Sequence, residues 1–309
     1  MRVRVLGSGA GGGFPQWNCN CRNCASVRRG EAGFVARTQS SLAVSANGRD
    51  WVLLNASPDL RQQMADAPGL APSNSTLRDS PIKAAVLTNG DVDHIAGLIN
   101  LREAQPFTIY ATPRVLGVLE ANSIFRILAP GVVDRVALSP GKPTPLTGAG
   151  VDLGLSVEAF DVPGKIALYL EDASAGPGLG TQSGDTVGLK ITDTATGEAF
   201  FYIPGCADVD DALAQRIKGA SLIFFDGTLF DDDEMIDQGL LAKSGERMGH
   251  ISISGPQGSI SAFSGLDVTR KIYVHINNSN PVLDGNSAAR RTVANAGWEV
   301  GYDGMEVRL

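Results

Sequence analysis

The sequence predicts an α/β fold of two stacked mixed sheets covered by helices. Three observations predict it. Short β-type runs recur along the whole chain. The early runs are separated by turns alone, whereas the later ones alternate with helix-like stretches. Glycine supplies 37 of 309 residues, enough for many tight strand-to-loop turns. Such a mixture suits two sheets packed face to face better than one doubly wound sheet.

The first strands are expected at 2–6, 40–44 and 51–55, where apolar residues sit between Gly, Ser and Asn. Asp59 follows the third of them and is placed to cap a short helix at 60–65. Strands at 84–87 and 108–111 flank a helix expected at 95–105, and another helix follows at 114–123. The later strands fall at 155–161, 187–191, 199–203, 221–225 and 271–276, with helices at 208–218 and 287–296. Residues 173–183, rich in Gly, Ala, Ser and Pro, read as a loop. No low-complexity linker and no internal repeat divides the chain. One domain over 1–309 is expected, with a cysteine-rich zinc loop at about 7–25.

Hydrophobic residues make up 43% and charged residues 19%, which places the chain among soluble globular proteins. A net charge of −7 and a pI near 5.0 argue against nucleic acid or an anionic membrane as partner. No apolar run has the length of a signal-peptide core or a membrane span, so a cytoplasmic protein without membrane insertion is expected.

Gly7-Ser8-Gly9-Ala10-Gly11-Gly12 fits the dinucleotide fingerprint and follows a strand. That fingerprint needs a helix to open at once, and Gly13-Phe14-Pro15-Gln16-Trp17 will not nucleate one. A loop lining a site is the better reading. Cys19, Cys21 and Cys24 form a C-x-C-x-x-C cluster, and three thiolates so close together suit a tetrahedral zinc. Asn278, His250 and a water are each chemically able to be the fourth ligand; Cys206, behind a distant strand, suits less. Because closed sulfur-rich sites are structural, this zinc is expected to stabilise the fold.

A second group of metal-type ligands lies at strand ends. Thr88-Asn89-Gly90-Asp91-Val92-Asp93-His94 follows the apolar run 82–87 and puts oxygen and nitrogen donors where a strand gives way to a loop. His275 ends the run Ile272-Tyr273-Val274. A lone strand-end histidine is by default a hydrogen-bonded rim residue, but two such ends favour a shared site. Asp226 is a further strand-end acid, and His250 lies in the loop Met248-Gly249-His250. With only these three histidines, a five-histidine dinuclear zinc site is excluded.

Asp93-His94, with Gly97 three residues on, resembles the metallo-β-lactamase superfamily motif H-x-H-x-D-H-x-x-G. Asn89 and Asp91 replace its first two histidines. The resemblance implies an αββα four-layer sandwich over the whole chain. The glycine loop and C-x-C-x-x-C cluster are similar to the superfamily's phosphodiesterase branch. G-S-G-A-G-G-G-F-P-Q-W-N-C-N-C-x-x-C, N-A-S-P-D, M-G-H and H-I-N-N-S-N-P-x-L-D together resemble a family of pyrroloquinoline quinone (PQQ) biosynthesis. The third-motif histidine would fall near Val162-Pro163-Gly164 and the bridging aspartate near Pro204-Gly205-Cys206, where neither exists. The first metal site is therefore dismantled, whereas the second keeps Asp93, His94 and His275. Two histidines and one carboxylate are the ligand set of non-haem Fe(II) oxygenases, although zinc or another divalent metal suits them too.

The resemblance thus implies an iron-dependent hydroxylase acting on a small tyrosine-containing PQQ precursor of Glu-Tyr type. The alternatives are a mononuclear zinc hydrolase, or a carrier moving PQQ or its precursor towards the periplasm. His250 is expected as an acid/base or hydrogen-bonding group, with Asp226 beside the site and Asp59 orienting a metal ligand. Asp91 is either an additional ligand or turned away. Other PQQ-biosynthesis proteins and a second copy of the chain are the expected protein partners.

Overall fold

Alternate residues of the strands point to opposite faces, and in the central strands both faces are buried. The computed structural model describes residues 1–73, 76–175 and 180–309, so the expected loop at 173–183 lies partly outside the described residues. The strands are β1 (Arg2–Gly7), β2 (Ser41–Ser45), β3 (Trp51–Leu54), β4 (Ile82–Val86), β5 (Phe107–Ala111), β6 (Val133–Ala137) and β7 (Thr144–Gly148). They continue as β8 (Val151–Asp161), β9 (Val187–Asp193), β10 (Ala199–Ile203), β11 (Leu222–Asp226), β12 (Arg270–Val274), β13 (Trp298–Val300) and β14 (Glu306–Arg308). One seven-stranded sheet has the order β14-β1-β2-β3-β4-β5-β6, the other β13-β12-β11-β10-β9-β8-β7. Each sheet is antiparallel in one half and parallel in the other, from β3 to β6 and from β10 to β13. Short turns join the antiparallel pairs β2–β3, β7–β8 and β9–β10, and longer, helix-bearing crossovers serve the parallel ones.

The period of two builds the layers. In β2, Leu42 and Val44 enter the core between the sheets while Ala43 faces outward; in β10, Phe200 and Tyr202 point inward and Phe201 and Ile203 outward. Helices cover both outer faces. Val115 and Leu119 of the helix Pro113–Ala121 close the first sheet, and Leu213 and Ile217 of the helix Asp211–Ile217 and Val293 of the helix Ala288–Asn295 close the second. The result is the expected αββα sandwich. The full helix set is α1 (Arg22–Arg28), α2 (Leu60–Ala65), α3 (Val92–Ile95), α4 (Pro113–Ala121), α5 (Asp211–Ile217), α6 (Glu234–Asp237), α7 (Gly245–Met248), α8 (Ser259–Ala262) and α9 (Ala288–Asn295). Side-chain caps start α4, α5 and α9: Thr112 accepts from Val115 N, Asp210 from Leu213 N and Ser287 from Arg290 N. Among the described residues, no helix is long and apolar enough to cross a membrane.

The helix expected at 95–105 is instead the single turn α3 followed by a 3-10 segment, Ala96–Leu101. The cause is Gly97, whose N–H donates to Ala56 O instead of to the preceding turn and whose lack of a side chain lets it lie close to Ser57; a Cβ there would stand 2.0 Å from Ser57 O. That contact clamps α3 onto the β3–α2 turn. Gly97→Ala should therefore lower stability by about 1–3 kcal/mol, the usual cost of overpacking. Thermal denaturation checks this, and an unchanged melting temperature would remove the clamp.

Candidate metal centre

The parallel strands β4, β11 and β12 deliver their carboxyl ends to one place, and each end carries a polar side chain. β4 leads through Thr88 and Asn89 into α3, which holds Asp93 and His94. β11 ends in Asp226, followed by Gly227 and Thr228. β12 is followed by His275, whose φ of 57° lies in the left-handed region. Asp93, His94 and His275 offer ligand atoms that all lie within 4.8 Å of one another. His275 Nε2 is 3.1 Å and His94 Nε2 3.8 Å from Asp93 Oδ2.

His94 is 2% exposed and its Nδ1 stands 2.7 Å from Asn89 Oδ1. An amide oxygen accepts, so Nδ1 carries the proton and Nε2 is left with a lone pair. That buried Nε2 has no hydrogen-bond partner. Burial pushes the His94 pKa down to about 4, against the pull of Asp93, so the ring is neutral. His275 goes the other way: burial opposes its charge, but the hydrogen bond and the charge of Asp93 outweigh it and raise the pKa. Burial would also raise Asp93, yet the two histidines hold it well below the usual carboxylate range. One positive charge, on the His275 ring, thus faces the Asp93 carboxylate beside a neutral His94. A divalent cation satisfies the same carboxylate with both rings neutral and occupies the unpartnered Nε2; the side chains fit a metal.

A second trio lies beside the first. Asp226, fully buried, accepts His250 Nδ1 at 2.6 Å and Cys206 N at 2.9 Å through Oδ2. Its Oδ1 accepts the backbone N–H of Thr228 at 3.0 Å and its hydroxyl at 2.6 Å. Burial works against the Asp226 charge, but His250 outweighs it and keeps the carboxyl ionised. The His250 ring stacks on His275 with centroids 5.2 Å apart. Thr228 Oγ1 also stands 2.8 Å from His275 Nδ1 and 3.1 Å from His250 Nδ1. Thr228 and Asn89 were not singled out as site residues in the sequence, although each lies within a few residues of a strand-end acid or histidine.

Two expectations for Asp59 need correction. Asp59 does not orient a metal ligand: its Oδ2 accepts Gln39 N at 2.9 Å and Gln39 Nε2 at 3.0 Å, and Gln39 Oε1 in turn accepts Gly12 N. Nor does its side chain cap α2. Its turn aims the carboxylate at the glycine-rich loop, which does line the site; a Cβ on Gly11 would be 3.4 Å from Asp93 Oδ2. Asp91 is not among the converging ligand atoms of the described residues; its Oδ1 accepts Leu168 N at 3.4 Å. Burial, then the charge of Asp93, raises its pKa.

The thiols of Cys19, Cys21 and Cys24 form a separate trio, also within 4.8 Å. Asn278 Nδ2 is 3.1, 3.7 and 3.4 Å from the three sulfurs, whereas its buried Oδ1 has no partner. A half-turn of the amide exchanges the two atoms and puts the oxygen among the sulfurs. Burial pushes Cys24 up to about 12, so three ionised thiols need a cation between them. This donor set fits zinc. His250 and Cys206, the other protein candidates for a fourth ligand, lie elsewhere: one on Asp226, the other with its thiol donating to Asp208 O.

Behind Asn278, Glu234 Oε1 accepts Ser279 Oγ at 2.5 Å and Oε2 accepts Phe230 N at 2.7 Å. Burial raises the Glu234 pKa to about 7, from an ordinary value of 4.5.

Loss of one thiolate should release zinc and, with it, folding energy. Cys21→Ser should lower both the melting temperature and the zinc content while metal at Asp93, His94 and His275 persists; a variant that loses zinc yet melts like the wild type would remove the structural role. For Glu234 the folded chain holds its proton where the unfolded chain has lost it. Its contribution is therefore full below pH 4.5 and lost as pH rises through about 7. Glu234→Gln should match the wild type near pH 4.5 and exceed it at pH 8 by roughly 2–3 kcal/mol, read from denaturant unfolding.

A beta-lactamase superfamily domain matches residues 50–276. The chain is 49% identical over its whole length to the whole of coenzyme PQQ synthesis protein B of Bradyrhizobium diazoefficiens. It is 50% identical to the protein of that name from Rhizobium meliloti, covering 100% of this chain and 98% of the relative. Among solved structures, Zn(2+)-bound PqqB from Methylobacterium extorquens aligns over both full chains with a TM-score of 0.94 and 47% identity. A diphosphatase of the PhnP family, 20% identical, aligns over 99% of this chain and 97% of its own with a TM-score of 0.68 and shares the fold alone. The chain belongs to the coenzyme PQQ synthesis protein B family of the beta-lactamase superfamily.

Proposed function

We propose that the chain serves PQQ biosynthesis as a metal-dependent oxygenase that hydroxylates a tyrosine-derived precursor of Glu-Tyr type. The observation that carries this reading is the convergence of Asp93, His94 and His275 around an unpartnered, buried Nε2, with Asn89 and Asp91 where a dinuclear hydrolase would have histidines. Loss of the first metal position disfavours hydrolysis, because a bridging hydroxide needs two metals. Two histidines and one carboxylate suit Fe(II) with open positions. Iron held there would supply activation of dioxygen, with an external two-electron reductant completing the balance: one oxygen atom enters the ring and the other leaves as water.

The chain's own side chains do the rest. Asp93 supplies the anionic charge. Asn89 and Thr228 engage the Nδ1 atoms of His94 and His275 and so direct both Nε2 atoms inward. Asp226 engages His250 Nδ1, which leaves His250 Nε2 to exchange a proton with the phenol of the precursor. A second reading places zinc at the same three side chains, which suit it by donor type; the Methylobacterium extorquens protein binds Zn(2+). Dependence of oxygen uptake on the metal supplied separates the two.

Asp93→Ala should lose Fe(II) and oxygen uptake together while the cysteine cluster keeps its zinc. His250→Ala should retain iron but turn over roughly 10²–10⁴-fold more slowly, the usual effect of losing a general acid/base. Metal analysis beside oxygen-electrode assays with a tyrosine-containing peptide checks both. Normal iron and normal uptake in Asp93→Ala would refute the ligand assignment.

A further inference from the structure

Apart from the metal-type clusters, an ionised trio sits at the rim of the histidine site. Glu171 accepts Lys165 Nζ at 2.7 Å through one carboxylate oxygen and Arg247 Nη2 at 3.2 Å through the other. Within the trio one anion faces two cations; Lys165 also acts on the buried Asp91 carboxyl, which leaves Arg247 as the less compensated cation in a chain whose net charge is −7. A loop clamp needs only one cation. Arg247 is 43% exposed, and one Nη2 contact engages only part of its guanidinium fork.

The rim position is fixed from two sides. Lys165 runs against the turn before His250: a Cβ on Gly249, which sits at φ 86°, would be 2.8 Å from Lys165 Cγ. Arg247 lies on α7 just ahead of that glycine. Between Lys165 and Glu171 the chain makes the 3-10 turn Leu168–Leu170. Leu168 N donates to Asp91 Oδ1, and the Tyr169 hydroxyl donates to Gly90 O at 2.6 Å. This turn is therefore tied to the same segment that carries Asp93 and His94. Leu168, Tyr169 and Leu170 are nevertheless 59%, 47% and 41% exposed. An apolar surface flanked by two cations thus borders the metal-type ligands.

We propose that Lys165 and Arg247 bind carboxylates of the substrate while the Leu168–Leu170 turn lies against its ring. The subsite selects an aromatic ring carrying more than one carboxylate. This rests on the proposed role in PQQ biosynthesis: a Glu-Tyr type precursor carries a phenol, a side-chain carboxylate and a terminal carboxylate, and PQQ itself is an aromatic quinone with three carboxylates. Glu171 holds the two cations in place, and an incoming carboxylate takes over its contact with Arg247.

The test is equilibrium binding of PQQ and of its trimethyl ester to the zinc-loaded protein, followed by tryptophan fluorescence. Arg247→Ala should weaken PQQ about tenfold, the loss of one charge-assisted hydrogen bond. Lys165→Met, whose stem still packs against Gly249, should act in the same direction. Glu171→Gln should tighten PQQ about threefold by removing the competing anion, and the ester should change by less than about twofold throughout. Acid and ester shifting together, PQQ binding unmoved by Arg247→Ala and Glu171→Gln, or no PQQ binding by the wild type would each overturn the subsite. Oxygen uptake with a tyrosine-containing peptide is scored apart: its absence refutes the oxygenase reading, whereas the charge dependence of binding decides the subsite.

Discussion

His275 leaves β12 with φ at 57°, a backbone state that costs a non-glycine residue on the order of 1–3 kcal/mol unless its surroundings hold it. The surroundings do hold it. Ile276 N donates to Ser8 O and Ala10 N to Ile276 O, so the glycine-rich loop is stitched to this turn. Asn277 N donates to Thr228 O, and Asn280 Nδ2 to the carbonyls of Gly227 and Thr228. Asn23 Nδ2, from α1, donates to Asn278 O and Asn280 O. Residues 275–280 therefore place one side chain, His275, among the oxygen and nitrogen ligands and another, Asn278, among the sulfurs. The two clusters share a backbone, and order in one supports order in the other.

Charge is arranged around that turn with few spare partners. Asp93 and Asp226 are both ionised, each beside an imidazole, and the rings of His275 and His250 stack between them. Thr228 links the pairs by donating to Asp226 and standing within hydrogen-bond reach of both rings. Its position is fixed by Asp226 and by the 275–280 turn, so it pre-sets the orientation of His275 before any cation binds. At the far end, the C-terminal strand β14 pairs with β1, and Asp303 accepts Ser8 N, Ser8 Oγ and Thr38 N. That carboxylate anchors the glycine loop that runs past Asp93.

Much of this was legible in the sequence because strand ends, cysteine spacing and histidine scarcity are local signals. Asp93, His94 and His275 each stand where an apolar run stops, and Cys19, Cys21 and Cys24 lie within six residues. What was not legible depends on contacts between distant segments. Asn89 reads as a lost histidine, yet it holds the Nδ1 of His94; only the fold shows the pairing. Asp59 reads as a capping or ligand-orienting acid, whereas its turn directs it to Gln39. Thr228 is a common residue with no spacing signal of its own. The strands β6, β7, β13 and β14 were not expected, since two are three residues long and β7 contains Pro145 and Gly148; pairing with longer neighbours supplies what local propensity lacks. Gly97 shows the reverse case, a residue of the motif whose role is steric contact with Ser57.

The central claim is that Asp93, His94 and His275 form one open metal position for oxygen chemistry rather than a remnant. The most direct measurement is reconstitution with Fe(II) without oxygen, then exposure to oxygen-18 gas and a Glu-Tyr type precursor, followed by mass spectrometry of the product. The account predicts one oxygen-18 atom in the product from the gas and none from labelled water. A product labelled only from water would point to hydrolytic chemistry. An unchanged precursor, with the protein holding PQQ tightly, would contradict the enzyme reading in favour of a carrier.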